Sequence, residues 1–423
     1  MHSQITSVSS HSRRSLVLLV IVLVATLGRL VCIQWGLPHN PGRDEWAIAE
    51  CSLRLLSERF HPHYFIHPSL TLYVHSLLFG LYYCGGRLFG HFQGPFDAVA
   101  EFSVEPTVFI LLVRSCALLA SIATIVLWYR TARRIMGNHG AVVCAVLVAC
   151  SPLLIEYSVT GKSYSIALAL MSAAVFFSVK YVQDGVKRSL WLGAAFAGLA
   201  ISSNYATGFV AVCPVVAATV RGMHNRDWRG LFRRVFIIGV ICIFTFLLGS
   251  PYVALGFPEF WKQFRYTGSF WRIGDFHNSS ITSPAYYWRF LVGHELGLVI
   301  AIASLVGAFG LALRSRREWI LLAIVPAVSI VFYCLGEFRA TRAMIFTVPF
   351  LLLFSAYSVD LVRRWRPCSW VLLGGLSVLA ALNGGSAVAK YCRMDNYTIA
   401  ERWIQENIPD GARIFRDSSR PTL

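Results

Sequence analysis

Long apolar runs, separated by short polar segments, recur along this chain from one end to the other. Stretches such as Ser15 to Val31 and Ile237 to Leu248 show no strict alternation of apolar and polar positions, so they do not read as half-buried strands. Runs of roughly 17 to 25 residues are long enough to cross a hydrocarbon layer as helices. Helices are also the default there, because the backbone must satisfy its own hydrogen bonds in lipid, and a barrel would need short alternating strands. The pattern predicts eleven spans, near residues 15–35, 107–129, 140–157, 164–183, 190–204, 206–221, 235–253, 296–313, 319–335, 343–361 and 369–390.

Composition sharpens this reading. Hydrophobic residues make up 56% of the chain and charged ones 14%, with a mean hydropathy of +0.59; a soluble domain carries about 25% charged residues. The fold class expected is therefore an all-α integral membrane protein. The net charge of +17 does not indicate nucleic acid, because Lys and Arg cluster in short segments between the apolar runs. These segments read as topology signals. His11 to Arg14 places the N-terminus in the cytoplasm, and Arg130–His139, Lys187–Arg188, Arg221–Arg234, Arg314–Arg317 and Arg363–Arg366 should all face the same side. An inner or plasma membrane location follows as an expectation.

A twelfth apolar stretch, Leu70 to Phe89, would carry Arg130, Arg133 and Arg134 to the wrong face if it crossed. It is expected to lie at the outer surface as a juxtamembrane helix, with Tyr73, His75, Tyr82 and Tyr83 at the interface. The first apolar run is too long for a signal peptide and has no small-residue cleavage site, so it counts as a span. Residues 1–390 form the membrane module and 391–423 a short outer tail, with outer loops at 36–106 and 254–295. The eleven cysteines lie mostly inside apolar runs and show no paired metal-binding spacing.

The outer segments hold the candidate chemistry. Asp44 and Glu45 follow the first span among aromatic neighbours, and such acids serve either as general base or metal ligand or simply as solvated loop acids. His67, in Tyr64-Phe-Ile-His67-Pro68, reads as a phosphate or metal ligand or as a solvated histidine. Arg114, Lys162, Arg339 and Arg342 fall at outer ends of spans, where the positive-inside bias disfavours cations; they hold a phosphate or anchor in headgroups. The 254–295 loop offers Trp261, Lys262, Arg265, Tyr266, Trp271, Arg272, His277, Tyr286, Tyr287 and Trp288, either to stack on sugars and hold phosphates or as an interfacial belt. Asn278-Ser-Ser and Asn396-Tyr-Thr match glycosylation acceptors.

Taken in order, these features resemble the GT-C superfamily of polyprenyl-phosphate-sugar glycosyltransferases, in the branch of protein mannosyltransferases and aminoarabinose transferases. The likeness is carried by Asp44-Glu45, His67-Pro68, Arg114-Ser115, Ser151-Pro152 through Ser158, Gly249-Ser-Pro-Tyr252, Phe257-Pro-Glu-Phe260, and Arg339 and Arg342 before Val348-Pro349. The tail from Asn396 to Gly411 also resembles the segment after the last helix in bacterial members. The resemblance implies a multi-span helical bundle that moves a sugar from a polyprenyl-phosphate donor to an acceptor hydroxyl on the extracytoplasmic face, with inversion. Asp44 would be the base, with Glu45 orienting it or sharing a divalent metal ion with it. His67, Arg114, Lys162, Tyr164, Arg265, Arg339 and Arg342 would bind substrate. One departure stands out, since Thr160–Tyr164 lacks the Asp that several relatives carry in this loop. The acceptor is open, and a transporter or flippase for an anionic or lipid-linked solute, or a non-catalytic GT-C relative, are the alternatives.

Overall fold

The structure, a computed structural model, describes residues 2–38, 42–224, 226–273, 281–337, 339–409 and 411–412; the side chains of 2–14, 43 and 270–273 are outside this description. The first part of the chain runs through α1 (His2–Cys32), α2 (Arg43–Arg54), α3 (Leu70–Leu88), α4 (Asp97–Val104), α5 (Thr107–Ile135), α6 (Asn138–Cys150) and α7 (Pro152–Ser158). The middle follows with α8 (Tyr164–Asp184), α9 (Lys187–Ser203), α10 (Val212–His224), α11 (Trp228–Gly249), α12 (Tyr252–Leu255), α13 (Phe257–Ile273) and α14 (Ser283–Phe290). The last part holds α15 (Gly297–Arg314), α16 (Arg316–Leu335), α17 (Val348–Leu361), α18 (Arg366–Tyr391) and α19 (Asn396–Asn407). No strand occurs among the described residues.

Among the described residues, eight helical segments are long and apolar enough to cross a membrane: Ser15–Cys32, Thr107–Ile135, Tyr164–Asp184, Tyr205–His224, Trp228–Gly249, Gly297–Arg314, Arg316–Leu335 and Arg366–Asn407. A ninth forms if α6 and α7, bent by 56° at Ser151, are one broken span. The last two expected segments are shorter helices, α9 with 17 residues and α17 with 14. α17 is buried along nearly its whole length, so its surroundings are other helices rather than lipid. By contrast, α1 exposes Leu16, Leu19, Leu23 and Leu27, and α15 exposes Leu298, Leu305 and Phe309. Apolar faces of that extent suit hydrocarbon and not water.

The core is built where α5, α8 and α9 meet on one side and α15 and α17 on the other. Trp128 of α5 meets Phe350 of α17 edge-on at 5.0 Å. α15 and α17 approach so closely that a Cβ at Gly307 would overlap the Phe354 carbonyl, the small-residue contact that lets membrane helices pack backbone to backbone. The buried Arg29 of α1 donates to Ser121 Oγ at 3.1 Å, to the Ala25 carbonyl at 3.1 Å and to the Ala149 carbonyl at 2.9 Å. These bonds use the charge to tie α1 to α5 and α6.

The basic segments converge on one end of the bundle. Arg134 bonds Gln183 and Asp184, Arg221 donates to carbonyls of Tyr181, Val182 and Gln183, Arg317 meets His224, and Asp360 accepts from the Gly137 N–H. At the far end, α3 packs on α2 and meets α5 and α9 through Phe79 against Phe109 and Thr71 Oγ1 against Ser203 Oγ at 2.7 Å. Its other face exposes Leu77, Leu81 and Leu88. One detail departs from expectation: His75 does not sit at an interface but is buried on the protein side of α3. Spacing explains this, since His75 lies four residues from Thr71 and from Phe79 and shares their face.

Candidate active site

Three short segments at the α2–α4 end bring unlike charges together. α2 opens with Asp44 and Glu45 in its first turn, where carboxylates complement the helix dipole. The turn between α7 and α8 supplies Lys162, and the 3-10 turn Thr341–Met344 supplies Arg342. Lys162 Nζ lies 3.2 Å from Asp44 Oδ2, and Arg342 reaches the same oxygen at 4.0 Å. Asp44 is half-exposed and Lys162 mostly covered, with its ammonium 5.9 Å from the centre of the Tyr157 ring. Partial burial alone would raise the Asp44 pKa, but Lys162, then Arg342 and His67, hold it below the ordinary carboxylate value.

His67 stands in the same electrostatic neighbourhood, on the loop before α3. Burial, with Arg342 and Lys162 adding to it, outweighs Asp44 and brings its pKa down to about 4. At neutral pH it is therefore an uncharged donor or acceptor and not a cation for phosphate. Tyr164, the first residue of α8, packs on Tyr157 at 4.7 Å and on Phe346 at 6.1 Å, and feels both Asp44 and Arg342. Tyr64 and Tyr157 belong to the same group, although reading the sequence for charges passed over them. The available signal was their place inside the motif stretches that carry His67 and Lys162.

Glu45 and Arg114 do not face this cluster. Both side chains are 1% exposed and bond each other twice, from Arg114 Nε to Oε1 and Nη2 to Oε2, each at 2.8 Å. Arg114 Nη1 also donates to the carbonyls of Ile33 and Trp35 at 2.8 Å, and Glu45 accepts from the Gly161 N–H. A Cβ at Gly161 would collide with Val113 and crowd Glu45, so this loop passes only as glycine. Arg114 and Glu45, expected at the substrate and beside the base, hold each other and the backbone around them. Successive residues of a helix point about 100° apart, and here the two carboxylates turn to different cations. The donor set does not fit the divalent metal expected at Asp44 and Glu45, because each carboxylate already has its own cationic partner.

Other expected residues fall outside the cluster. Arg265 is exposed on α13 with its guanidinium 5.9 Å from the Trp261 ring centre. Arg339 bonds Ser283 Oγ at 3.4 Å at the start of α14. His277 and Asn278 lie outside the described residues. Glu295, which the sequence did not single out, is buried and accepts from Ser151 Oγ and from the Leu153 N–H at 3.0 Å. Burial pushes its pKa up to about 7 against those two donors. It fixes the bend between α6 and α7.

Known proteins can now be set beside this geometry. Residues 108–253 match the family model of dolichyl-phosphate-mannose-protein mannosyltransferase. That stretch contains Arg114, Lys162 and Tyr164 but not Asp44, His67 or Arg342. The fold is similar to that of ArnT from Cupriavidus metallidurans in the apo state, at 17% identity and a TM-score of 0.60 over 88% of this chain and 75% of that one. For ArnT bound to undecaprenyl phosphate the values are 19%, 0.62, 86% and 63%. The oligosaccharyltransferase AglB from Archaeoglobus fulgidus, in complex with an inhibitory peptide and a dolichol-phosphate, matches at 12% identity and a TM-score of 0.58, over 93% of this chain and 58% of AglB. The chain thus spans less than two thirds of the lipid-bound ArnT and of AglB. No curated protein matches it in sequence. The fold is that of a multi-pass helical membrane protein. The likeness in fold is to ArnT and AglB, and the likeness in sequence is confined to the 108–253 stretch.

Proposed function

We propose that this protein is a glycosyltransferase that moves a sugar from a polyprenyl-phosphate donor to an acceptor hydroxyl, at the extracytoplasmic face of an inner or plasma membrane. The observation that carries the reading is one carboxylate, Asp44, held between two cations, Lys162 at 3.2 Å and Arg342 at 4.0 Å. Two positive charges around one negative leave the cluster net positive, as an anionic donor requires. The lipid phosphates named in the ArnT and AglB structures supply a group of that charge.

In this reaction the acceptor oxygen attacks the anomeric carbon as the bond from that carbon to the phosphate oxygen breaks. The bonding electrons leave with polyprenyl phosphate, and the hydroxyl proton passes to Asp44. Attack opposite the leaving group inverts the anomeric centre. No general acid is needed, since a phosphate leaves as an anion. Lys162 and Arg342 stabilise its charge in a partly dehydrated setting, where fixed cations count for more than in water. While they pair with Asp44 the carboxylate is a weak base. Arrival of the donor phosphate draws both cations away and makes Asp44 more basic, so base strength is coupled to donor binding. His67 and Tyr164 stand in the same electrostatic neighbourhood, as uncharged hydrogen-bonding groups. Arg265 and Arg339, farther out, serve the acceptor or the headgroup region, and no step is routed through a metal.

A transporter would need ionisable groups free to act within its spans. Arg29 is buried there, but its donors are engaged by Ser121, Ala25 and Ala149. The test uses purified full-length protein in detergent with a labelled polyprenyl-phosphate sugar. Wild type should release polyprenyl phosphate. Asp44→Asn should slow release by about 100-fold or more, the scale of a lost general base, with an unchanged thermal midpoint. A variant of undiminished rate would remove Asp44 from the mechanism.

A further inference from the structure

Outside this cluster, the loop before α3 and the α13 helix bring two histidines and a glutamate together. His61, His63 and Glu259 present one nitrogen or oxygen each, all within 4.8 Å of one another, and they are the one group of this kind among the described residues. His63 Nδ1 stands 3.3 Å from Glu259 Oε2, and His61 Nε2 is 3.9 Å from the same oxygen. A tetrahedral ion with bonds of about 2.0–2.1 Å sets its ligands roughly 3.3 Å apart. The His63–Glu259 edge already has that length, and the His61 edge is close to it. The two imidazoles are stacked at 3.7 Å, with Tyr252 tilted against His61 at 4.3 Å. A Cβ at Gly256 would lie 3.3 Å from His61 Nε2, so a side chain there would crowd that nitrogen.

The backbone is set in a costly form to make this arrangement. Arg59, Phe60 and His63 have φ of 51°, 62° and 45°, a region that bulky residues rarely enter. Several bonds hold them there: Tyr252 donates to the Arg59 carbonyl, Tyr73 to the Phe60 carbonyl and Gln263 Nε2 to the His63 carbonyl, while the Phe65 N–H donates to Gln263 Oε1. Strain maintained by so many contacts is characteristic of ligand sites. Glu58 adds further negative charge close to His61.

We propose that His61, His63 and Glu259 bind a divalent transition metal of the zinc class, with an open position filled by water. The mixed nitrogen and oxygen donors select such ions over calcium or magnesium, which take oxygen ligands. Binding through His61 Nε2 requires the ring proton on Nδ1. The bond that Nδ1 now accepts from the His63 N–H at 3.1 Å is given up on binding. The bound ion pins the loop that leads into His67 to α13, the helix that carries Arg265. This proposal stands on its own geometry and is independent of the reaction assigned above.

The test takes tag-free full-length protein in detergent, stripped with a chelator and titrated with Co²⁺ as an absorbing probe, then with Zn²⁺ in competition. One equivalent should bind and give visible cobalt bands without a thiolate charge-transfer band, which separates this site from the cysteines. His63→Ala and Glu259→Gln should each weaken binding by about tenfold or more. His91→Asn, which alters the separate His91–Glu101 pair, should leave it unchanged. Zn²⁺ should raise the thermal midpoint of wild type and not of the variants, whose metal-free midpoints match it. Glu259→Asp, which keeps the carboxylate on a shorter arm, should bind with intermediate affinity and covers the case in which the other variants fail to fold. Absence of Co²⁺ binding by wild type, or wild-type affinity in the His63→Ala/Glu259→Gln double variant, overturns the assignment.

Discussion

At the scale of single residues, the informative charges are those the membrane should have kept away. Lys162 and Arg342 stand out in the sequence because they lie at the disfavoured ends of spans, and the structure sets both against Asp44. Partners are less legible than charges. Asp44 and Glu45 look equivalent as adjacent acids, yet one helical step sends Glu45 to Arg114 and Asp44 to Lys162. No pattern in the chain separates those outcomes, because each depends on a residue more than sixty positions away. The pairing also fixes a pH response. Lys162 leads the groups that hold Asp44 below its ordinary value, so the acidic limb of kcat/KM should lie below about pH 4, the range of an unperturbed Asp. Lys162→Met removes the cation, the pKa rises, and the limb moves to higher pH. The variant should lose more of its neutral-pH kcat/KM at pH 5 than wild type does. An unmoved limb with lowered kcat/KM throughout would mean that Lys162 binds donor without tuning Asp44.

At the scale of elements, the apolar runs announced the helices, while bends and burial were hidden. The 56° break between α6 and α7 sits at Ser151-Pro152, a visible proline signal, but the buried Glu295 that secures it arrives from a distant segment. α3 is not among the segments apolar enough to cross, in keeping with the charge balance of the sequence, whereas the burial of His75 depended on which face met α2 and α9. The Glu45–Arg114 pair belongs to this scale because it joins the end of α1, the start of α2, α5 and the Gly161 loop. Removing one partner of such a pair leaves the other charge buried and alone, at a cost of about 3–5 kcal/mol. Arg114→Leu should therefore lower the thermal midpoint in detergent strongly. Adding Glu45→Gln should recover much of the loss, since the buried charge is then gone. Equal midpoints for Arg114→Leu and wild type would show that the pair does not hold this corner together.

At the scale of the molecule, the sequence made two separate statements about sidedness, and the fold brings them into register. Basic segments distant in sequence gather at one end through Arg134, Arg221, Arg317 and Asp360, while Asp44, His67, Lys162 and Arg342 gather at the other. A polytopic chain inserts with its short basic loops in the cytoplasm. The site should then open on the extracytoplasmic side, where a lipid-linked donor presents its phosphate at the membrane surface. Single cysteines at positions 47 and 226, placed in a background with the native cysteines replaced, should react from opposite faces of intact cells. Position 226 should label with a membrane-impermeant maleimide only after permeabilisation, and position 47 before it. Labelling of both from one face would break the link between charge pattern and orientation, and with it the access of an external acceptor to Asp44.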